Sequence, residues 1–228
     1  MATVTPERLK EVAIEVLKGS GAAEDEAPLV ADSLVRAEMR GTDTHGLPYL
    51  KLLVERVEAR MVSLPTRVRV LKDDGATALL DGGNGIGQVA GWQAMELSVR
   101  KAREYGIGLT LVRNTNNLGF LAFYTMHAAE LGCVGITMGN ANAAISPWGG
   151  AGAFFGTNPL SIAVPGNGEV VALDMSSSVV ARGKVRKAQR LGEKIPLGWA
   201  LDESGVPTDD PGAALKGTLL PIGGPKGY

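Results

Sequence analysis

The chain has very little of the chemistry that forms covalent cross-links, since its 228 residues include one cysteine, Cys133. A single cysteine makes no internal disulfide and no cysteine-based metal cluster. Cys133 lies in the apolar run 131–138, which predicts a buried strand residue. The sequence therefore predicts neither a disulfide framework nor a metal site.

Long hydrophobic runs and an excess of one charge are absent too. No stretch approaches the roughly 18 apolar residues of a membrane helix, and the start lacks a signal-peptide layout, so a cytoplasmic protein is expected. The net charge of −1 gives no electrostatic reason to expect nucleic acid or an anionic membrane as a partner. A hydrophobic content of 45% in 228 residues suits a globular protein of one or two domains.

A dinucleotide-binding fingerprint of the Rossmann type is also missing. The run Gly82-Gly83-Asn84-Gly85-Ile86-Gly87 predicts a tight turn that leads into a helix at about residues 88–104. If Gly83 and Gly85 are the first two glycines of the fingerprint, Gln88 stands where the third belongs. No ribose-binding acid follows at the usual distance, so the sequence disfavours a Rossmann site.

Helical periodicity dominates the beginning of the chain. Thr5-Pro6-Glu7 is typical of a helix start, with threonine as the N-cap and proline in the first turn. The apolar spacing predicts that this helix ends at Gly19, that a second runs from about 25 to 39, and that a third follows His45. These segments are predicted to form a helical unit over residues 1–64.

Strand patterns begin after Pro65. The predicted strands are 67–71, 77–80, 107–112, 160–164 and 170–174, with helices between them, and the apolar strand 107–112 is predicted to be buried. The segment 140–159 is rich in small residues and predicts a long ordered loop of the kind that carries function. Residues 65–228 are therefore predicted to form a mixed or largely antiparallel sheet domain with helices, which makes the fold class α/β.

The break between the second and third predicted helices, residues 37–46, carries the strongest candidate for catalysis. It places His45 beside the Thr44 hydroxyl and the Asp43 carboxylate, with a glycine on either side of the group. Histidine is the side chain best suited to exchange a proton near neutral pH. The alternative is a plain turn in which Asp43 or Thr44 caps the next helix and His45 is incidental.

A second candidate is the serine run 176–178, which precedes a predicted helix that continues to Arg190 and carries several basic residues. Serines and backbone N–H groups at a helix start, followed by cations, suit a phosphate group. The alternative is an ordinary capped helix with a solvated basic face.

The run Arg40-Gly41-x-Asp43-Thr44-His45-Gly46 resembles the signature of the malate/L-lactate dehydrogenase family that is unrelated to the Rossmann-type lactate dehydrogenases. Six further runs follow in the family's order: Asp81–Gln88, Pro147–Gly150, Gly156–Pro159, Leu173–Met175, Ala181–Lys184 and Gly223–Tyr228. The resemblance implies a non-Rossmann dinucleotide-binding fold and a homodimer when complete. It also implies NAD(P)-dependent reduction of 2-oxoacids, with ureidoglycolate, sulfolactate, diketogulonate and cyclic-imine branches.

The resemblance further implies roles for individual residues. His45 would donate a proton to the substrate carbonyl, oriented by Thr44, while NAD or NADP supplies hydride. Substrate contacts are expected at Tyr49, Asn117 and Arg182. Cofactor contacts are expected at Asn116, Asn117, Leu118, Gly119, Asp174, Met175, Ser176, Ser178, Lys184 and Lys226.

The chain departs from the family in three respects. Many relatives have an arginine where this chain has Tyr49, and a phenol cannot supply a charged fork for a carboxylate. Many also have Asn-His-Phe-Gly in place of residues 116–119. Family members continue well beyond the run 226–228, so the chain is expected to lack a C-terminal third. The substrate is therefore expected to differ from that of an arginine-bearing relative. The alternatives to a 2-oxoacid reductase are a cyclic-imine reductase and a non-catalytic binding remnant.

Overall fold

The computed structural model describes residues 4–227. Its helices are α1 (Pro6–Gly19), α2 (Glu26–Met39), α3 (Leu47–Glu58), α4 (Gly87–Tyr105), α5 (Ala122–Glu130), α6 (Arg182–Leu191), α7 (Pro211–Lys216) and α8 (Gly224–Gly227). Its strands are β1 (Arg69–Asp74), β2 (Thr77–Asp81), β3 (Leu109–Arg113), β4 (Gly135–Met138), β5 (Ala143–Ile145), β6 (Phe155–Gly156), β7 (Leu160–Pro165), β8 (Val170–Met175), β9 (Ala200–Leu201) and β10 (Thr218–Leu219). A 3₁₀ turn, Asp43–His45, lies between α2 and α3.

The three opening helices agree with the sequence prediction. The Thr5 hydroxyl accepts a hydrogen bond from the Arg8 N–H at 3.3 Å and so caps α1, as predicted. The three helices bury Leu17, Leu34 and Leu53 in one apolar cluster. Burial of such side chains is the main term that stabilises short helices in a protein.

The predicted boundary at residue 64 does not separate two compact units. Ile86 and Val89, from the turn before α4 and its first turn, pack in the same cluster as the opening helices. The chain divides instead into one unit that runs to residue 136 and includes 162–172, and a second that contains 137–161 and the residues from 173 onward. The boundary fails because the helical segment buries its apolar face on the start of α4.

The first two sheets are mixed, in agreement with the predicted α/β fold. In the first sheet β2 pairs antiparallel with β1 and parallel with β3. The second sheet, in the order β6-β5-β10-β9, also contains both pairings. The third has the order β4-β7-β8. In the part of the chain that the structure describes, no helix is long and apolar enough to cross a membrane.

Two predictions about individual strands are wrong. The strand predicted as buried at 107–112 is β3, whose Leu109 and Leu111 are exposed because α4 packs on the opposite face, where Ser98 donates to Thr110 at 2.8 Å. Cys133 is half-buried in the turn before β4 and is not a strand residue. Apolar composition alone does not reveal which face of a strand is covered.

The second histidine, His127, has a structural environment. It lies on α5, where its ring stacks on that of Trp92 with centroids 4.1 Å apart. The Glu96 carboxylate on α4 pairs with its Nε2 atom. Both partners hold the ring between two packed helices, α4 and α5.

Adjacent leucines on α3 test this account of the opening helices. Leu53 is 1% exposed in the first apolar cluster, whereas Leu52 is 36% exposed. We expect Leu53→Ala to lower the free energy of unfolding by about 2–5 kcal/mol, because it leaves a cavity. Leu52→Ala is the control and should cost about 1 kcal/mol or less. Urea unfolding followed by circular dichroism measures both, and equal losses would contradict the packing described.

Candidate active site

The predicted break between two helices is present, and it is an ordered turn. After α2 ends at Met39, the Thr42 N–H donates to the Ala37 carbonyl at 2.9 Å. The His45 N–H donates to the Thr42 carbonyl at 3.0 Å and closes the 3₁₀ turn. His45 is half-buried, so the turn holds an imidazole that is neither in the core nor fully in solvent.

The contact between Thr44 and His45 is the main structural support for His45 as a catalytic residue. The Thr44 Oγ1 atom lies 3.0 Å from His45 Nδ1. A hydroxyl can donate to a bare Nδ1 or accept from a protonated one, so this contact is compatible with both charge states of the ring. In either state the contact orients the imidazole and engages Nδ1, which makes Nε2 the nitrogen suited to proton exchange.

The first N–H of α3 is capped by a residue that the sequence did not single out. The Leu47 N–H donates to Glu38 Oε1 at 2.8 Å, so the acceptor is neither Asp43 nor Thr44. Glu38 lies in the last turn of α2, where a carboxylate is unfavourable for its own helix dipole. That misplaced charge is the signal from which its role could have been suspected.

Tyr49 lies in the first apolar cluster and is only 7% exposed. Burial raises the pKa of its hydroxyl, and the nearby Arg56 charge offsets part of that effect. The assignment of Tyr49 to the substrate stays a prediction. An arginine at this position would place a charged group among the apolar side chains of the helical cluster.

The glycines at the two ends of the turn 82–87 are explained by the close approach of the segment 113–117. The Gly82 N–H donates to the Arg113 carbonyl at 2.8 Å, and the Asn84 N–H donates to the Asn114 carbonyl at 2.7 Å. A Cβ atom on Gly87 would lie 2.2 Å from the Asn117 carbonyl oxygen, well inside contact distance. These glycines admit a neighbouring backbone, in agreement with the absence of a Rossmann fingerprint.

Asp81 fastens the same two segments together from the end of β2. Its buried carboxylate accepts hydrogen bonds from the Gly83 N–H at 2.9 Å, and from Arg113 Nε and Asn114 Nδ2 at 3.1 Å each. These donors, the Gly83 N–H above all, hold the pKa of the Asp81 carboxyl below its usual value. The charged form of the Asp81 carboxylate is therefore favoured in the folded chain.

The loop predicted to contact a cofactor, residues 116–119, lies along the start of α4. The Asn116 amide nitrogen donates to the Asn84 and Gly85 carbonyls, at 2.9 Å each. These two hydrogen bonds hold the side chain against the glycine-rich turn 82–87. The Asn117 side chain is exposed and its Oδ1 accepts from the Gly119 N–H at 2.7 Å. The Leu118 carbonyl accepts from the Tyr124 hydroxyl.

Two buried polar side chains beside this loop are orphaned, since they have no hydrogen-bond partner among the described residues. The Gln88 amide is fully buried and has no hydrogen-bond partner among the described residues, and the same is true of the buried Thr115 Oγ1 atom. A Cβ atom on Gly119 would lie 3.1 Å from Gln88 Nε2. Buried polar groups are ordinarily paired with protein, water or a ligand, so these atoms mark a place where a partner is expected.

In the second unit, the predicted residues after β8 do not stand at a helix start. α6 begins at Arg182 with Ala181 as its N-cap, so the serine run 176–178 is not the N-terminal phosphate cradle predicted for it. The Ser176 and Ser178 hydroxyls lie 2.9 Å apart, and Ser178 Oγ donates to the Val180 carbonyl at 2.8 Å. The hydroxyls are used inside their own loop.

The loop after β8 is tied to the run 156–159 and to the residue that precedes the run 223–228. The Ser177 N–H donates to the Thr157 carbonyl at 2.8 Å, and the Ile222 N–H donates to the Ser177 carbonyl at 2.9 Å. Asp174 is exposed and Met175 is half-buried at the end of β8. The second unit thus brings the segments around 157, 174–178 and 222 together.

The predicted cations of the second unit differ in their surroundings. Arg182 donates through Nη2 to the Leu215 carbonyl at 2.5 Å, which engages it in the fold. Lys184 on α6 and Lys226 on α8 are exposed. Within residues 4–227, no three of the His, Cys, Asp and Glu side chains are arranged to hold a metal ion.

Comparison with known proteins decides which family shares this arrangement. The sequence model of the family described as malate/L-lactate dehydrogenase matches residues 4–228. The chain belongs to the malate/L-lactate dehydrogenase family. A chain of this family therefore carries the histidine turn (residues 42–46), the glycine turn (residues 82–87) and the asparagine loop (residues 116–119).

The family membership is supported by individual relatives. The chain is 40% identical over 223 residues to L-sulfolactate dehydrogenase of Methanocaldococcus jannaschii, covering 98% of this chain and 65% of that protein. The solved structure of sulfolactate dehydrogenase from that organism, of which the chain covers 65%, matches 99% of the chain with a TM-score of 0.90. Ureidoglycolate dehydrogenase (NAD(+)) of Escherichia coli K12 is 34% identical over 226 residues, 99% of this chain and 64% of the relative.

A third relative carries a different name. The solved structure of delta1-piperideine-2-carboxylate reductase from Pseudomonas syringae pvar. tomato has a TM-score of 0.93 and 29% identity, covering all of this chain and 69% of that one. The chain spans about 65% of the length of the M. jannaschii sulfolactate dehydrogenase described above.

Asp81 offers a test of the join between the glycine turn and the asparagine loop. Asp81→Asn keeps the shape of the side chain and removes its charge, so it should lower the free energy of unfolding near neutral pH. Because the folded pKa is lowered, the wild-type advantage exists above the unfolded pKa and is lost as pH falls through the folded one. Urea unfolding from about pH 7 to about pH 2.5 should show the two proteins converging at acid pH.

The control is Asp74→Asn on β1, which removes an exposed carboxylate paired with Lys72. An exposed pair contributes little, so this variant should follow the wild type across the same pH range. A constant gap between Asp81→Asn and the wild type at all pH values would contradict the role given to the Asp81 charge.

Proposed function

We propose that the whole protein is a nicotinamide-dependent oxidoreductase that interconverts a 2-oxoacid and the matching 2-hydroxyacid, with His45 as the proton donor. The observation that carries this proposal is the 3.0 Å contact between Thr44 Oγ1 and His45 Nδ1, in a chain of the malate/L-lactate dehydrogenase family. NAD or NADP supplies the hydride when bound.

The histidine turn suits the proton transfer that this reaction requires. Negative charge grows on the substrate carbonyl oxygen only as its carbon accepts hydride, so a protonated His45 stabilises the transition state more than the ground state. The Thr44 hydroxyl can accept from the Nδ1–H of the cationic ring. After Nε2 gives up its proton, the neutral ring keeps its Nδ1–H and can go on donating it to the hydroxyl.

The residues proposed to hold the cofactor fit a polar dinucleotide by their chemistry. In the first unit, the loop 116–119 offers the exposed Asn117 amide and lies beside the orphaned Gln88 amide. In the second unit, the exposed Lys184 and Lys226 carry charge that would oppose phosphate. The loop 174–178 adds backbone groups and hydroxyl oxygens that can accept a further hydrogen bond, with Asp174, Met175, Ser176 and Ser178 as the proposed contacts.

Fewer of the proposed residues are placed to contact the substrate. Asn117 is exposed and can present an amide to a carboxylate or carbonyl, whereas Arg182 already donates to a backbone carbonyl. Tyr49 is buried in the helical cluster, so any contribution it makes is through a neutral phenol or through packing. These features support a substrate other than that of an arginine-bearing relative.

We also infer that the whole protein works as a homodimer in the cytoplasm. Apolar side chains on open sheet faces support the dimer, with Leu109, Leu111, Ile136 and Met138 all more than half exposed. Equilibrium sedimentation of the purified protein tests it, and a monomer at every concentration would contradict it.

Replacement of His45 tests the proposed proton donor. His45→Ala should lower kcat by about 10²–10⁴-fold, the usual loss for a general acid, with little change in the dissociation constant of the cofactor. Thr44→Val should lower kcat less, and Thr44→Ser should retain activity because it keeps the hydroxyl. Steady-state kinetics and cofactor titration measure these effects.

The matched control removes the other histidine. His127→Gln changes a residue packed between Trp92 and Glu96 and should leave kcat within a few-fold of the wild type. A loss of less than threefold in His45→Ala would exclude His45 as the donor. Cofactor binding without turnover of any substrate would favour a non-catalytic binding protein.

A cyclic-imine reductase is the second candidate function. It is supported by the structural match to delta1-piperideine-2-carboxylate reductase, with its TM-score of 0.93. His45 would then donate its proton to the imine nitrogen of the substrate in place of a carbonyl oxygen. A panel of 2-oxoacids and cyclic imino acids separates the two, since the first proposal predicts the higher kcat/KM for a 2-oxoacid.

A further inference from the structure

The Glu38 side chain and the α-carbon of Gly46 are fitted to each other. Glu38 Oε1 accepts from the Leu47 N–H at 2.8 Å. A Cβ atom on Gly46 would lie 2.3 Å from Oε1 and 2.5 Å from Cδ of the same side chain, closer than real Cβ contacts, which stay above 3.0 Å. The glycine after the histidine therefore leaves the space through which the carboxylate passes.

Helix α3 depends on this carboxylate because its own N-cap has no side chain. Gly46 occupies the N-cap position and cannot provide the oxygen that Ser, Thr, Asp or Asn would supply there. Glu38 supplies it from the end of α2, nine residues earlier. Its negative charge also stands at the end of α3 where the helix dipole favours an anion.

Helix α2 consequently holds the histidine turn at both of its ends. On one side the Thr42 N–H donates to the Ala37 carbonyl at 2.9 Å. On the other side the Leu47 N–H is held by Glu38, and His45 lies between the two attachments. Removing the second attachment takes away the hydrogen bond that ties the start of α3 to the end of α2.

We propose that Glu38 is a positioning residue for His45, acting through Leu47 and requiring glycine at position 46. It fixes the start of α3 against the end of α2, and this sets where the imidazole and its Thr44 partner stand. The consequence for catalysis rests on the proposed function. A displacement of about 1 Å in a catalytic group can cost on the order of 10²-fold in rate.

Three substitutions at Glu38 separate positioning from simple stabilisation. Glu38→Gln keeps an acceptor oxygen at the same reach, Glu38→Asp keeps the charge but is one methylene shorter, and Glu38→Ala removes both. At a temperature where circular dichroism shows each protein folded, Glu38→Gln should keep kcat within about threefold. The Asp and Ala variants should lose about 10–100-fold in kcat, with the KM for cofactor within about twofold.

A double-mutant cycle tests the fit between the two residues. Gly46→Ala should lower kcat by a similar factor in the presence of Glu38, because the added methyl displaces the carboxylate. In the Glu38→Ala background the same change should cost little, since nothing remains for the methyl to meet. Additive losses would overturn the proposal, because they would mean that glycine is required at 46 for another reason.

A measurement on the imidazole itself does not depend on activity. The chain has two histidines, so the ring ¹⁵N signals of His45 can be assigned by replacing it, with His127 as an internal reference. The His45 signals should shift in Glu38→Asp, Glu38→Ala and Gly46→Ala, stay near the wild type in Glu38→Gln, and leave those of His127 unchanged.

The failure of this inference can be told from the failure of the proposed function. If His45→Ala keeps its activity, the proposed function is wrong, but the ring signals still report whether Glu38 positions the imidazole. Unchanged His45 signals in Glu38→Asp would overturn the positioning role. Should Glu38→Ala fail to fold, Glu38→Asp and Gly46→Ala give the same decision.

Discussion

The histidine turn depends on one hydrogen bond between two helices, from the Leu47 N–H to the Glu38 carboxylate at 2.8 Å. A hydrogen bond to a charged group contributes about 1.5–3 kcal/mol, which is large beside the net stability of a domain. It caps α3, ties that helix to α2 and requires glycine at position 46. On the positioning role proposed for Glu38, the place of the half-buried His45 and its contact with Thr44 depend on that attachment.

Close approach of backbone also governs the other glycine-rich segment. The turn 82–87 resembles a phosphate loop in composition, yet Gly82 and Gly87 make room for carbonyl groups of the segment 113–117. Asp81 closes the arrangement with three donors on one carboxylate. The loop 116–119 is thereby fixed along the start of α4, with the orphaned Gln88 amide beside it.

Features encoded locally could be predicted from the sequence, while those set by distant neighbours could not. The Thr5 cap and the apolar spacing of α1–α3 act within one helix, so those helices were predicted correctly. The exposure of β3 depends on which face α4 covers, and the position of Cys133 depends on where β4 begins. Glu38 was missed because its partner lies nine residues away in another helix.

The central claim is that His45 gives its proton to the substrate carbonyl. The most direct test is a crystal structure of the whole protein with nicotinamide cofactor and a non-reactive 2-oxoacid analogue such as oxamate. The account predicts that the analogue's carbonyl oxygen lies within hydrogen-bonding reach of His45 Nε2, about 2.6–3.2 Å. A carbonyl oxygen held by another donor, with the imidazole directed elsewhere, would contradict it.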